Sequence, residues 1–366
     1  MSNLDLPLQL SPVFKPKIWG QRDLEPLFIH PVGAADDPPS RRGHSDLPIG
    51  PNDLIGEAWI TDEGSRFLNG PCAGLTLKEA SQKHGAELHG SAWHDTRFPL
   101  LAKYIYTNDW LSVQVHPDDN YARVHDPGNF GKCEMWYFLK SDDRGEILLA
   151  LKPGVTKQRL RTALENGTSR NLIQPFRPQP GEGVFVPPGT VHALGPGLVL
   201  FEVEENSDLT YRLDDFGRVG LNGKPRPLHW EKGLDVTRVE LPAYRNLPRL
   251  TFREPYGLHR FVGASRYFAL EELTLVRIAS FTGSLERVET LSIIFGEGRV
   301  ETEVGWMAYR TGDTWVIPPG TKSYRLVPET RTQLLKFYVP DADRDFRIPL
   351  AARDVSAEQI ARVVFD

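Results

Sequence analysis

The stretch LSVQVH alternates apolar and polar side chains with the two-residue period of a β-strand. Leu111, Val113 and Val115 point to one face. Gln114 and His116 therefore share the other face, about 7 Å apart at the rise of an extended chain. The turn-forming run PDDN follows at once and ends the strand. This pattern predicts a short strand with two polar side chains directed to one side of a sheet.

Similar patterns recur along most of the chain and predict a mainly β protein with few helices. Strands are predicted at 57–61, 98–106, 134–139, 147–151, 184–186 and 198–203, and helices at 75–88 and 155–167. Strand patterns dominate again from residue 250 to the end. Thr76, with Glu79 three residues later, is the signature of a capping box, and Thr156 is the expected cap of the second helix.

An internal repeat indicates duplicated β-domains. The string GEGVFVPPGTVH, which ends at His192, matches GDTWVIPPGTKS, which ends at Ser323, at an offset of 131 residues (323 − 192). Each copy is a Gly-led turn, an apolar strand and a Pro-Pro-Gly-Thr turn. With the irregular, Pro-rich segment 220–248 between them, the copies predict two domains, 1–240 and 241–366. Because the second copy lacks the histidine, only the first domain is expected to hold a metal.

Four residues of the first domain form a candidate metal site. Gln114, His116 and Glu134 offer a neutral oxygen, an imidazole and a carboxylate, which Zn, Mn or Fe would accept. His192 is the candidate fourth ligand. His116 alone would be an ordinary turn histidine, but its spacing to the other three favours a ligand. The remaining histidines show no paired spacing and are predicted to be surface or loop residues.

Composition narrows the setting of the protein. The net charge of −5 gives no general attraction to nucleic acid or to an anionic membrane. No window approaches 18 apolar residues and the N-terminus lacks a signal-peptide pattern, so no membrane span or leader is expected. Two cysteines, Cys72 and Cys133, argue against a disulfide framework and favour a reducing, cytoplasmic setting. Residues 31–53 are loop-like in composition.

Several longer strings together resemble one enzyme family. FPLLAKYIYTNDWLSVQVHPDD, GKCEMWY, VPPGTVHAL and NSDLTYR, in this order, are similar to the type I mannose-6-phosphate isomerases (phosphomannose isomerases) of the cupin superfamily. The spacing G-x5-P-x-G-x2-H that ends at His192 is the second cupin motif. The resemblance covers residues 13–25 and 98–218, and it is weaker in the second half.

The resemblance implies a fold, an activity and a metal. It implies two cupin-type jelly-roll barrels with a few decorating helices, and interconversion of mannose 6-phosphate and fructose 6-phosphate through an enediol(ate). The family's metal ligands fall on Gln114, His116, Glu134 and His192. One Zn²⁺ per chain is expected, with another divalent metal as an alternative. The implied partner is a small sugar phosphate, and the chain is expected to be a monomer or a homodimer.

The resemblance also assigns further residues of this sequence to the substrate pocket, one position at a time. Lys132 matches a lysine beside the substrate and, two residues before Glu134, faces the same cavity if the strand extends to it. Arg212 and Asp208 match an active-site arginine and an acidic residue. Lys103 and Ser112 match positions that line the pocket for substrate. Lys103 stands in an apolar strand, so if it is buried it needs a phosphate or a carboxylate as partner.

The resemblance leaves the general base and the roles of two residues open. Gly131 stands where some family members have a histidine proposed as the base, so Asp208, Lys132 and a metal-bound water all remain candidates. Asp215 and Arg218 recur in short bacterial members without an assigned role. Two other functions are also compatible with the sequence: a non-catalytic cupin that binds a sugar phosphate, and a redox cupin that uses Fe or Mn.

Overall fold

The computed structural model describes residues 4–29, 41, 43–45 and 49–365. Much of the loop predicted at 31–53 lies outside the described residues. Across the described ranges, no helix is both long and apolar enough to cross a membrane. The strands of the N-terminal part are β1 (Leu8–Leu10), β2 (Val13–Gln21), β3 (Ile55–Trp59), β4 (Leu100–Thr107), β5 (Val113–Val115), β6 (Glu134–Ser141), β7 (Ile147–Leu151), β8 (Ile173–Phe176), β9 (Gly183–Val186), β10 (His192–Leu194), β11 (Leu198–Glu205) and β12 (Tyr211–Asp214).

Strands β2 to β12 form the two sheets of a first barrel. The six-stranded sheet has the order β2-β3-β4-β11-β6-β9, and the five-stranded sheet has the order β12-β5-β10-β7-β8. Neighbouring strands in both sheets are antiparallel. The apolar side chains of the short sheet pack with the inner face of the long one, and the polar end of this interior holds the candidate site.

The C-terminal part repeats this arrangement. Its strands are β13 (Leu250–Glu254), β14 (Gly257–Ala264), β15 (Ala269–Leu275), β16 (Ala279–Thr282), β17 (Glu289–Phe295), β18 (Glu297–Thr302), β19 (Gly305–Arg310), β20 (Thr314–Ile317), β21 (Ser323–Pro328) and β22 (Thr332–Tyr338). The sheet orders are β1-β20-β17-β22-β15-β14-β13 and β16-β21-β18-β19. The order β13-β14-β15-β22-β17-β20 reproduces β2-β3-β4-β11-β6-β9 strand by strand. The mainly β architecture is therefore confirmed.

The first strand of the chain belongs to the second barrel. Leu8 pairs with Val316 on β20, so the N-terminal segment extends the C-terminal sheet. The predicted division at 240 falls between β12 and β13, and as a domain boundary it stays a prediction. The large sheets of the two barrels face each other across a shared apolar core, where the Phe201 and Phe337 rings lie 5.3 Å apart. Alternate residues of β4 and β11 face this core, and the others face the first barrel's interior.

In the described residues, seven short α-helices decorate the barrels. They are α1 (Leu77–His84), α2 (Ala86–His89), α3 (Asp119–His125), α4 (Lys157–Glu165), α5 (Trp230–Val236), α6 (Ile348–Ala351) and α7 (Ala357–Ala361), with 3-10 turns at Gly70–Cys72 and Ser169–Leu172 and a π-helical turn at Asp343–Arg347. Thr76 forms the predicted capping box with Glu79, and Thr156 caps α4 by accepting from the Arg159 N–H. The helix predicted at 75–88 is broken at Gly85, whose φ is 48°.

The prediction that the remaining histidines are surface or loop residues is wrong for two of them. His89, at the end of α2, is 1% exposed and its Nε2 lies 2.9 Å from Ser81 Oγ. His259 lies on β14, with Nε2 2.5 Å from Glu271 Oε2. No local sequence pattern links either histidine to its partner, because each contact depends on how the elements pack.

Candidate metal centre and substrate pocket

Three predicted ligand side chains converge at one end of the first barrel. Glu134 Oε1 lies 3.3 Å from His192 Nε2 and 3.7 Å from His116 Nε2. Gln114 is the direct neighbour of His192 across β5 and β10, and its amide lies 3.2 Å from His192 Nε2. All three of the titratable groups are buried. The structure thus brings together the four residues that the sequence predicted.

Both histidines are held so that Nε2 faces the carboxylate. His116 Nδ1 lies 3.0 Å from the Leu209 carbonyl oxygen, and His192 Nδ1 lies 2.9 Å from the Thr190 carbonyl oxygen. These bonds assign the proton to Nδ1 of each ring. The lone pair of His116 Nε2 is then free, whereas His192 Nε2 accepts from the Gln114 amide nitrogen at 3.2 Å. Burial lowers the pKa of His192 to about 4 and holds that of His116 well below its usual range, with Lys132 adding to the second effect. Both rings are therefore neutral, as a ligand must be.

The site has acceptors that the protein itself leaves unused. Among the described residues, His116 Nε2 is buried without a hydrogen-bond partner, and Glu134 Oε1 faces only the two imidazoles, at 3.3 and 3.7 Å, while Glu134 Oε2 is paired with Lys132 at 3.1 Å. Such atoms are costly to bury unsatisfied, and a divalent cation at their centre would satisfy them. Nitrogen and oxygen donors without a thiolate suit Zn, Mn or Fe. The donor set therefore fits the metal that the sequence predicts.

A polar cavity of about 200 Å³ opens beside these ligands. It is lined by Lys17, Trp19, Glu57, Lys103, Ile105, Leu111, Ser112, Gln114, Lys132, Leu194, Glu202, Asp208, Thr210, Arg212 and Arg226. The five residues predicted to act in catalysis or substrate binding are all in this lining. Basic side chains predominate among its charged groups, which suits a small anionic ligand.

Two lysines lie deep in the cavity among carboxylates. Lys103 Nζ is 3.1 Å from Glu202, 2.9 Å from Glu204 and 3.6 Å from Asp208. Lys132 Nζ is 3.1 Å from Glu134, 3.4 Å from Glu202 and 2.8 Å from Glu204. Burial alone would lower the pKa of both lysines, but the carboxylates outweigh it and raise the pKa above its ordinary value. The predicted need of a buried Lys103 for an anionic partner is confirmed.

Glu202 and Glu204 are site residues that the sequence analysis missed. They lie on β11, where they alternate with Phe201 and Val203 in the string LVLFEVEE. The signal was present, because two carboxylates two residues apart in an apolar strand share one face and need buried partners. Finding those partners required the pairing of β11 with β4 and β6, which places Glu202 opposite Lys103 and Glu204 opposite Glu134.

Arg212 lies at the side of the cavity nearest the ligands. It is opposite Gln114 in the pairing of β12 with β5, and its backbone N–H donates to His229 Nδ1 at 3.1 Å. One guanidinium nitrogen donates to the Pro227 carbonyl at 3.1 Å. Its buried Nε finds no hydrogen-bond partner in the described part of the chain. The guanidinium therefore retains donor capacity for a ligand.

The two residues without an assigned role lie in an ion cluster at the rim. Arg218 donates to Asp215 at 2.9 Å, and Arg226 Nε donates to the same carboxylate at 2.7 Å. Burial opposes the charged form of Asp215, but both arginines outweigh it and lower the pKa of this carboxyl. Asp215 thus orients Arg226, which lines the cavity, and Arg218 completes the cluster.

Comparison with known proteins identifies the family to which this chain belongs. Residues 8–159 match the family model described as the type I phosphomannose isomerase catalytic domain. The chain is 33% identical over 327 residues to mannose-6-phosphate isomerase ManA of Bacillus subtilis, covering 87% of this chain and 95% of that protein. The chain belongs to the type I phosphomannose isomerases. The mannose-6-phosphate isomerase of Streptococcus mutans is 31% identical, with 87% and 94% covered.

Solved structures of phosphomannose isomerases show the same fold. The crystal structure of the mannose 6-phosphate isomerase from Bacillus subtilis superposes with a TM-score of 0.78 at 28% identity, covering 90% of this chain and 99% of that one. A structure from Archaeoglobus fulgidus, at 19% identity and a TM-score of 0.68, shares the fold. The matched family model ends before His192, so the fourth candidate ligand rests on the geometry described above.

Proposed function

We propose that this chain is a mannose-6-phosphate isomerase that interconverts mannose 6-phosphate and fructose 6-phosphate. The observation that carries the proposal is a polar cavity lined by fixed cations and by Gln114, with the buried cluster of His116, Glu134 and His192 beside it. A chain that shares the family's fold and this site has the parts that an aldose–ketose isomerisation needs. The relatives named above carry this activity in their names.

We infer that Gln114, His116, Glu134 and His192 hold one divalent ion, with Zn²⁺ as the native metal. A bound divalent ion polarises the sugar oxygens as a Lewis acid. The protein's part is to keep both imidazoles neutral and oriented through the carbonyls of Leu209 and Thr190. No thiolate takes part, so the ligand set leaves the ion hard enough to prefer oxygen from the substrate.

Fixed positive charge would stabilise the enediolate. Arg212 and Lys132 are the proposed stabilising groups, because both line the cavity beside the candidate ligands. Lys103 and Ser112 are proposed to bind the sugar phosphate. Lys132 is a poor candidate for the base, because its ammonium lies within 3.4 Å of three carboxylates and stays protonated.

We assign the proton transfer between C1 and C2 to Asp208. Its side chain is 53% exposed, lines the cavity and contacts Lys103 at 3.6 Å. A carboxylate that reaches the substrate and keeps contact with solvent can accept and return a proton. The proposed partner of the protein is a small sugar phosphate. A cytoplasmic location remains our inference from two free, buried cysteines.

An assay of the purified protein tests this proposal against both rivals. We expect conversion of mannose 6-phosphate to fructose 6-phosphate, loss of activity with a chelator and recovery with Zn²⁺. Saturable binding of the sugar phosphate without turnover would instead indicate a non-catalytic cupin. Oxygen consumption with Fe or Mn and no isomerisation would indicate a redox cupin.

A further inference from the structure

Glu204 occupies the centre of the charged cluster beneath the cavity. Its side chain is completely buried, and it lies opposite Leu101 on β4 and opposite Glu134 on β6. It is not part of the cavity lining, whereas Lys103, Lys132 and Glu202 are. Glu204 therefore meets the lysines from below, on the side away from a substrate.

The two oxygens of Glu204 contact different lysines. Oε1 lies 2.9 Å from Lys103 Nζ, and Oε2 lies 2.8 Å from Lys132 Nζ. Glu202 also reaches both lysines, but through a single oxygen at 3.1 and 3.4 Å, while its other oxygen accepts from Trp136 Nε1 at 3.0 Å. Glu204 is thus placed as a brace between two ammonium groups that repel one another.

Contacts of this kind restrict the positions of the two ammonium groups. A lysine has a flexible four-carbon stem and a compact charge, so an unheld ammonium samples many positions. A charge stabilises a developing oxyanion best when it is already in place before the reaction. Holding both ammonium groups from the buried side fixes their positions and leaves their outer faces free for the substrate.

We propose that Glu204 is a positioning residue that sets the spacing of Lys103 and Lys132 for catalysis. The proposal rests on the isomerase function proposed above. The second barrel offers an internal comparison: there Tyr338 pairs with Glu289 as Glu204 pairs with Glu134. The positions equivalent to Lys103 and Lys132 hold Glu271 and Arg287 there, so Tyr338 stands where Glu204 bridges two lysines in the first barrel.

A double-mutant cycle between Glu204 and Lys132 tests this role. Glu204→Gln replaces one of the two oxygens that contact the lysines by an amide nitrogen that cannot accept, and Glu204→Asp keeps both oxygens but is one methylene too short to reach both lysines. We expect each to lower kcat on the order of tenfold, with a smaller change in KM. In a Lys132→Met background the same changes should cost much less, because one of the braced groups is gone. Full additivity of the losses, or an unchanged kcat in both single variants, would overturn the proposal.

Glu205→Gln is the matched control. Glu205 is the next residue of β11, is also buried and faces the opposite side, where it accepts from the Cys133 N–H at 2.9 Å. Burial raises the pKa of Glu205 to about 9, so an amide imitates its neutral form. We expect wild-type kinetics from this variant. Thermal unfolding of every variant shows whether it is folded, and Glu204→Asp remains usable if Glu204→Gln is not.

A binding measurement separates this proposal from the isomerase function. Calorimetric titration with sorbitol 6-phosphate, an open-chain sugar phosphate that cannot isomerise, reads the lysine positions without turnover. We expect weaker binding in Glu204→Gln and Glu204→Asp, and again a smaller effect in the Lys132→Met background. If the wild type binds sorbitol 6-phosphate but does not convert mannose 6-phosphate, the proposed function fails. The affinities of the variants for sorbitol 6-phosphate still test Glu204 in that case. Equal affinity in all Glu204 variants would contradict the positioning role.

Discussion

The two barrels place charged residues at matching positions but use them differently. Glu134 pairs with Val186 in the first barrel, and Glu289 pairs with Ile317 in the second, where the residue numbers 186 and 317 differ by the repeat offset of 131. The second barrel therefore keeps a buried glutamate where the first has its candidate metal ligand. The two carboxylates differ in the side chains that surround them.

The neighbouring pair of strands carries a lysine opposite a glutamate in both barrels, with the two residue types exchanged between the strands. Lys103 lies opposite Glu202 in the first barrel, and Glu271 lies opposite Lys336 in the second. In the second barrel Lys336 Nζ contacts Glu289 at 2.9 Å. A lysine therefore partners the buried glutamate in both barrels, Lys132 at 3.1 Å in the first and Lys336 at 2.9 Å in the second, and the two imidazoles beside Glu134 make the difference.

This comparison indicates that the metal site depends on the turns more than on the sheets. His116 and His192 stand at the ends of short strands, next to turns, and place their imidazoles 3.7 and 3.3 Å from Glu134 Oε1. At the position of His192 the second barrel has Ser323, which is exposed. One duplicated framework can therefore support either a metal site or a self-compensated ion network.

The largest effect is expected from His192→Ala. Removing one imidazole from four ligands should abolish metal binding, and the activity should be lost with it. Metal analysis and an isomerase assay measure both. Ser323→Ala, at the equivalent position of the second barrel, is the matched control and should change neither. Full metal occupancy in His192→Ala would place the metal elsewhere.

Arg212→Ala should be the next most damaging change. If the guanidinium stabilises the enediolate, kcat should fall on the order of 10²–10³-fold and KM should change less. A residue that only held the phosphate would give the reverse, a raised KM with nearly unchanged kcat. Metal content is checked first, and an active Arg212→Ala enzyme with wild-type kcat would remove Arg212 from the mechanism.

Lys336→Met should damage stability and spare catalysis. It leaves Glu289 buried without the ammonium that lies 2.9 Å from it, and breaking a buried ion pair costs about 3–5 kcal/mol of unfolding free energy. Urea denaturation measures this loss. The kcat of the remaining folded, metal-loaded enzyme should match the wild type. A specific fall in kcat without loss of stability would show that the second barrel takes part in the reaction.

The smallest effect concerns His89, which joins α2 to the second barrel through a bond from the Val288 N–H to its carbonyl. Burial lowers the pKa of His89 to about 4 from 6.5. Between these values the unfolded chain binds the proton more readily, so stability should decline as pH falls from 6.5 to 4, by up to about 3 kcal/mol. His89→Gln should flatten that part of the pH–stability profile, and an identical slope would contradict this assignment.

Features encoded locally could be predicted from the sequence, and features that depend on strand pairing could not. The caps at Thr76 and Thr156 need only residues three positions away, and the candidate ligands stand in short motifs. Glu204 is different, because its role depends on lysines 101 and 72 residues away in the chain (204 − 103 and 204 − 132). For the same reason β1, a three-residue strand, gave no sign that it pairs with β20.

The most direct test of the contrast between the barrels is the location of the metal in a crystal of the purified protein. Anomalous scattering at the zinc edge should give one peak, about 2.0–2.2 Å from the ligand atoms of Gln114, His116, Glu134 and His192. A stoichiometric peak beside Glu289 in the second barrel, or none at the first site in active enzyme, would contradict the account.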